Sequence, residues 1–160
     1  KTFFRIMATP RSKLETSKDV KCEAHKLYGM FKYTFHHLTE AFPESFKSCE
    51  ILQGDGGVGT IRLWKYVMPG KTEIQSCTEK VEVQDDEKML IVLDIYDGDH
   101  IADYPFFKII VHITPKGEGC SVKWVIEFEK GHEGVIDPHH HLDLHEKIIE
   151  KLEAHIVAKA

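Results

Sequence analysis

Residues 50–71 read EILQGDGGVGTIRLWKYVMPGK, and the fold turns on the residues behind the glycines. GDGGVG at 54–59 matches the GxGxxG pattern of dinucleotide-binding loops letter for letter. Such a loop needs a helix behind it, whose N-terminal amides hold the pyrophosphate. Behind Gly59, TIRLWKYVM instead alternates with a period of two, which is the pattern of a strand. No Lys-Ser/Thr pair is present there to make a Walker loop. GDGGVG therefore reads as a glycine-rich turn between two strands, and nucleotide chemistry falls away with the helix. Along strand 60–68 the same alternation ties Arg62, Trp64 and Tyr66 to one face. If Trp64 points inward, so does Arg62, which is costly unless it meets a carboxylate, water or a ligand. Pairing with an internal acid and direct ligand contact both stay open.

Outward from this segment, Ser45 to Gly131 is strand upon strand, punctuated by MPGK (68–71), QDDE (84–87), YDGD (96–99) and PKGEG (115–119). Apolar residues alternate along the later strands: Met89, Ile91, Leu93 and Ile95; Phe107, Ile109, Val111 and Ile113; Trp124, Ile126 and Phe128. Six strands without intervening helices form an antiparallel meander with one apolar face. Upstream, Arg11 to Val20 alternates with Leu14, Thr16, Lys18 and Val20 on one side, a first strand. The period then changes. Asp19 is placed to cap a helix over 21–32, and 33–42 continue helically until Pro43 stops them. Downstream, Asp137 as N-cap and Pro138 at the first position open a helix to about Ala158. Its predicted stripe is Leu142, His145, Ile148, Ile149, Leu152 and Ile156, with Glu146, Lys147, Glu150, Lys151 and Glu153 pairing on the wet side. The fold class is α+β: a seven-stranded antiparallel sheet, two short helices after strand 1, and a long C-terminal helix that only the sheet can cover.

Composition narrows the function. At 160 residues the chain fits one domain able to bury roughly two thirds of its unfolded surface. A net charge of -5 without a Lys/Arg-rich block argues against nucleic acid, and no apolar run approaches the ~20 residues of a membrane span. Cys22, Cys49, Cys77 and Cys120 lack CxxC spacing and read as reduced thiols of a cytoplasmic protein. In the opening KTFFRIMATP, Phe3 to Met7 is too short for a signal sequence, and Met7-Ala8-Thr9 resembles a natural start. Residues 1–11 are read as an N-terminal extension, upstream or vector-derived, and 12–160 as a single domain.

The eleven histidines invite a metal reading, because His141 and His145 share a helical face next to His139-His140. Two ligands do not make a site, and neither HExxH nor a finger-spaced cysteine is present, so no metal is expected. His36-His37 are read as surface residues, with a cavity-rim or proton-transfer role as the alternative. No Gly-x-Ser-x-Gly elbow supports acyl transfer, and no cofactor is expected.

The order of elements, with GDGGVGTI between the first two strands of the meander, is specific. Together with Glu50–Lys71 and SVKWVIEFEK at Ser121–Lys130, it resembles the Bet v 1 superfamily, and within it the major latex protein branch, over residues 12–158. The resemblance implies a helix-grip fold, the curved sheet gripping the last helix around a large cavity entered near the short helices and the 97–104 loop. Its lining by position would be Arg62, Trp64, Tyr66, Met89, Ile91, Leu93, Phe107 and Ile109, with Leu142, His145 and Ile149 from the last helix. Family members bind hormones, flavonoids, sterols or alkaloids and are linked with plant defence; others cyclise, condense or isomerise ligands by acid–base chemistry. The implied function is thus a monomeric carrier of small hydrophobic metabolites. The alternative is a cofactor-independent enzyme, with Tyr66, Tyr104, His36, His37, His141 and His145 as candidate proton-transfer groups. Ile91 and Leu93 stand where some members show tyrosines, which favours a greasy, terpenoid- or sterol-like ligand and leaves no catalytic tyrosine or lysine to carry over.

Overall fold

Seven antiparallel strands form one sheet in the order β1-β7-β6-β5-β4-β3-β2. The structure is a computed structural model that describes residues 11–159; the Met7-Ala8-Thr9 start and most of the expected N-terminal extension lie outside that range. In chain order the elements are β1 (Ser12–Val20), α1 (Ala24–Tyr33), a single 3-10 turn (Phe35–His37), α2 (Leu38–Ala41), β2 (Phe46–Gln53), β3 (Ile61–Val67), β4 (Ile74–Asp85), β5 (Leu90–Gly98), β6 (Phe106–Lys116), β7 (Gly119–Glu129) and α3 (His139–Ala158). This is the α+β architecture the periodicity predicts.

The GDGGVG segment is a turn, and its conformation requires glycine. Gly54 has φ +93°, and a Cβ there would sit 2.6 Å from Thr60 Oγ1 and 2.7 Å from Thr60 Cα. The Gly56 N–H donates to Thr60 Oγ1 at 2.8 Å and the Gly59 N–H to the Val81 carbonyl at 2.8 Å, so the turn is pinned to β4 as well.

Several boundaries differ from expectation for local reasons. Asp19 does not cap α1; its carboxylate accepts from Lys116 Nζ at 2.7 Å, and Glu23 caps the helix by accepting from the His25 N–H. The stretch 33–42 is broken by Thr34 and Phe42, both out of helical geometry, into the 3-10 turn and one turn of α2. Met89 is not on a strand: it closes the β4–β5 turn with φ +52° while staying buried. YDGD is not a turn either, since β5 runs through Gly98 and the chain bends only at 99–104. At α3 Pro138 occupies the cap position and Asp137 pairs with Lys130 at 2.8 Å instead of capping.

The apolar face of α3 closes the concave side of the sheet. Its buried residues are His141, Leu144, His145, Ile148, Ile149 and Leu152, so the face is turned toward Leu144, with Leu142 and Ile156 half-buried at its edges. The acids of α3 do not pair along the helix as expected. Glu146 accepts from Thr16 Oγ1 at 2.8 Å, Glu150 pairs with Lys18 at 3.0 Å, and Glu153 accepts the Lys21 N–H at 2.5 Å, all on or beside β1. Lys151 reaches Glu44 at 3.1 Å. Exposed pairs of this kind contribute up to about 1 kcal/mol each; they fix which way the helix lies.

Arg62 is the costly interior charge, and it is matched. Its Nε donates to Glu79 Oε2 at 2.5 Å from the neighbouring register position on β4, with both side chains nearly inaccessible. The guanidinium also lies 5.2 Å from the centre of the Phe35 ring. The pairing reading left open by the sequence is the one the structure adopts. Removing one partner strands a buried charge, so Glu79→Gln is expected to cost roughly 3–5 kcal/mol. The double replacement Arg62→Met with Glu79→Leu, which removes both charges, should recover most of that loss. Urea unfolding midpoints of the three proteins check this; equal losses in single and double variants would contradict it.

Candidate functional site

Between the concave sheet face and α3 lies an apolar cavity with about 60 Å³ open to the centre of a water molecule. That is much less than the large cavity expected. Aromatic rings fill the difference: Phe35 and Phe46 each pack edge-on against Trp64 at 5.5 Å, and Phe31 lies 5.8 Å from Trp124. α1 and the 3-10 turn supply Phe31 and Phe35, because their apolar positions recur every three or four residues and face the sheet.

Of the residues expected to line this space, Trp64, Tyr66, Leu93, Phe107, Ile109 and His145 are brought together there. Arg62 is not on the wall; its partner Glu79 is. Ile91 and Ile149 are buried away from the cavity, Met89 sits in its turn and Leu142 at the edge of α3. Among the acid–base candidates Tyr66, His141 and His145 reach the wall, whereas His36 and His37 on the 3-10 turn do not. Sequence reasoning missed His100 and Leu144 on the wall. Counting back four residues from Ile148 along α3 would have found Leu144; His100 lies in an irregular loop that no periodicity reports.

A second, wider space of about 540 Å³ adjoins the cavity. It is bounded by the β3–β4 turn (Met68, Lys71, Glu73), the loop after β5 (Asp99, Asp103, Tyr104) and the start of α3 (His140, Asp143), with His100 and His141 common to both spaces. This outer space, a vestibule, includes residues of the expected 97–104 entrance loop, and the short helices line the inner space through Phe35 and Leu38. Tyr104 belongs to this vestibule and is committed: its hydroxyl donates to the Ile136 carbonyl at 2.7 Å.

The histidines of the inner wall are neutral, and hydrogen bonds fix the tautomers of two of them. The Trp124 indole can only donate, so His145 Nδ1, 2.8 Å away, must accept, and the His145 proton sits on Nε2. His100 Nε2 lies 2.9 Å from the Ile95 carbonyl, which can only accept, so the proton is on Nε2 and Nδ1 is a bare acceptor. Burial pushes His145 down to about 3. Burial, then the neighbouring His145, push His141 down to about 2. Burial likewise lowers His100 and raises the Tyr66 phenol. Two buried polar atoms, Trp64 Nε1 and His100 Nδ1, have no hydrogen-bond partner among the described residues. Each such orphan costs about 1–3 kcal/mol.

Among the described residues no group of three or more His, Cys, Asp or Glu is placed to hold a metal ion, and no helix is long and apolar enough to cross a membrane. Comparison with known proteins agrees with the geometry. The model of the pathogenesis-related protein Bet v 1 family matches residues 10–159. MLP-like protein 43 of Arabidopsis thaliana is 37% identical over 150 residues, covering 92% of this chain and 94% of that protein. MLP-like protein 34 of the same plant is 35% identical over 149 residues, 91% of this chain, but the chain spans only 46% of its length. The crystal structure of ginseng major latex-like protein 151 from Panax ginseng superposes with a TM-score of 0.85 at 26% identity, covering 91% of this chain and 97% of that one. The shared sheet, the gripped helix and the match over nearly the whole sequence make this chain a member of the Bet v 1 family, similar to its major latex proteins.

Proposed function

We propose that this chain is a monomeric, cytoplasmic binding protein that carries small hydrophobic plant metabolites, of terpenoid, sterol, alkaloid or hormone-like kind, in the cavity between sheet and α3, in the service of defence. The carrying observation is the character of the inner wall: it is almost wholly apolar, its histidines are neutral, and Glu79 is already matched by Arg62. Burial of apolar ligand surface at roughly 25 cal/mol per Å² supplies affinity in such a space. The cavity is small, so a larger ligand extends into the vestibule past His100 and His141 or displaces aromatic side chains. Free thiols at all four cysteines accord with a reducing compartment.

Acid–base catalysis is the weaker reading. A general base works best with a pKa near the operating pH, and His141 and His145 are pushed far below it. Native mass spectrometry after incubation with a plant metabolite extract tests the choice. Retention of unchanged apolar molecules is the expected result; a new product absent from boiled controls would make the enzymatic reading the better one. Leu144→Phe, which fills the cavity, should weaken binding by about tenfold or more. Ile149→Val, buried but off the cavity, should leave binding unchanged.

The buried histidines also predict a pH dependence. In the folded chain His141 and His145 stay neutral well below 6.5, whereas the unfolded chain protonates them there. The unfolded state binds the extra protons, so stability is full above about pH 6.5 and falls as pH drops, by about 1.4 kcal/mol per pH unit for each residue. Unfolding free energies between about pH 7 and pH 5 should show this loss, and His141→Leu should roughly halve it.

A further inference from the structure

The cavity holds two polar atoms left unmatched among the described residues, and they are of opposite kind. Trp64 Nε1 is a donor with no acceptor, and His100 Nδ1 is an acceptor with no donor. Trp64 is 3% exposed and His100 6%, both line the same apolar space, and solvent does not reach either atom. The Trp124 indole is engaged by His145, and the other nitrogen of His100 by the Ile95 carbonyl. Their surroundings are rings and aliphatic chains, with Phe35 and Phe46 against Trp64 and Phe107 at 5.3 Å from His100.

We infer that the ligand of this cavity is an uncharged apolar molecule carrying a hydroxyl or N–H that donates to His100 Nδ1 and an oxygen that accepts from Trp64 Nε1. This rests on the proposed cavity-binding role and narrows it. Inside the cavity a carboxylate would lose its hydration and meet no free cation among the described residues, because Arg62 is neutralised by Glu79. An ammonium would meet the same matched pair. A plain hydrocarbon would fill the space and leave both atoms orphaned. His100 stands where vestibule and cavity meet, so the donor group of the ligand sits at the inner end of the entrance while its acceptor oxygen faces β3.

Three compact probes, toluene, anisole and phenol, differ in the group that matters and can be titrated into the intact protein by calorimetry. Phenol is expected to bind about fivefold more tightly than toluene, the worth of one ordinary hydrogen bond, and His100→Phe should abolish that preference. A readout that needs no variant is the indole N–H pair of the two tryptophans in a nitrogen–proton correlation spectrum. Anisole and phenol should move the Trp64 signal downfield beyond any ring-current shift caused by toluene, while Trp124, on the same wall but already bonded to His145, reports the ring-current shift alone. Equal binding of toluene and phenol, a preference that survives in His100→Phe, or a Trp64 signal indifferent to the ether oxygen would overturn the inference and leave the cavity-binding reading standing. Failure of all three probes to bind would overturn both.

Discussion

One helix has to close the concave face of a seven-stranded sheet, and most of the structure results from the mismatch. Six interstrand spacings of about 4.8 Å make the sheet roughly 29 Å wide, whereas a helix with its side chains covers about 10–12 Å. Curvature of the sheet narrows the gap, and α1, the 3-10 turn and α2 cover part of the remainder. Large side chains do the rest: Trp124 and Phe128 are fully buried, and Phe31, Phe35, Phe46 and Trp64 form a continuous set of tilted and edge-on contacts. Where the rings do not meet α3, an apolar cavity is left. The site is thus a consequence of the architecture, placed where the covering elements fail to tile the sheet.

An interior built this way cannot host charge freely, and its polar groups show how that constraint is met. Arg62 is forced inward by the alternation of β3 and is tolerated only because Glu79 occupies the facing position on β4. His145 is tolerated as a neutral ring whose Nδ1 takes the Trp124 indole proton. In both cases one strand supplies the partner at the depth where the burdened residue lies. His100 and Trp64 break the pattern, since each leaves a polar atom without a protein partner beside the cavity. Native interiors rarely leave such atoms unmatched, which is why these two carry more information about a ligand than the many apolar residues around them.

Legibility in the sequence tracked the strength of each local rule. Period-two alternation made the seven strands and the inward facing of Arg62, Trp64 and Tyr66 readable, and the strand after Gly59 was enough to dismiss a dinucleotide loop. The end of β5 was misread because Asp97-Gly98-Asp99 has turn composition, while register with β4 at Cys77 holds Gly98 in the strand. Capping was misread at both ends of the chain: Asp19 and Asp137 are good caps by composition, but each found a lysine partner, Lys116 and Lys130, that no local pattern announces. The stripe of α3 was read through Leu142, although Leu144, four residues before Ile148, shares the buried face, and its acids turned to β1 because that edge presents Thr16, Lys18 and the Lys21 amide. His100 was invisible altogether, since a loop histidine acquires its role only from the rings folded around it.

The same geometry sets an opposition between stability and binding. Every aromatic ring that fills the gap under α3 strengthens packing and shrinks the space for a ligand, and a cavity of about 60 Å³ stands near the packed end of that range. On the opposite face, α3 is held by ion pairs and hydrogen bonds to β1 that involve no cavity residue. The helix is therefore anchored along its outer edge and meets the cavity through His141, Leu144, His145 and Ile148. A ligand that enlarges the space would do so by moving rings and the first turns of α3, leaving the β1 edge as the fixed side of the grip.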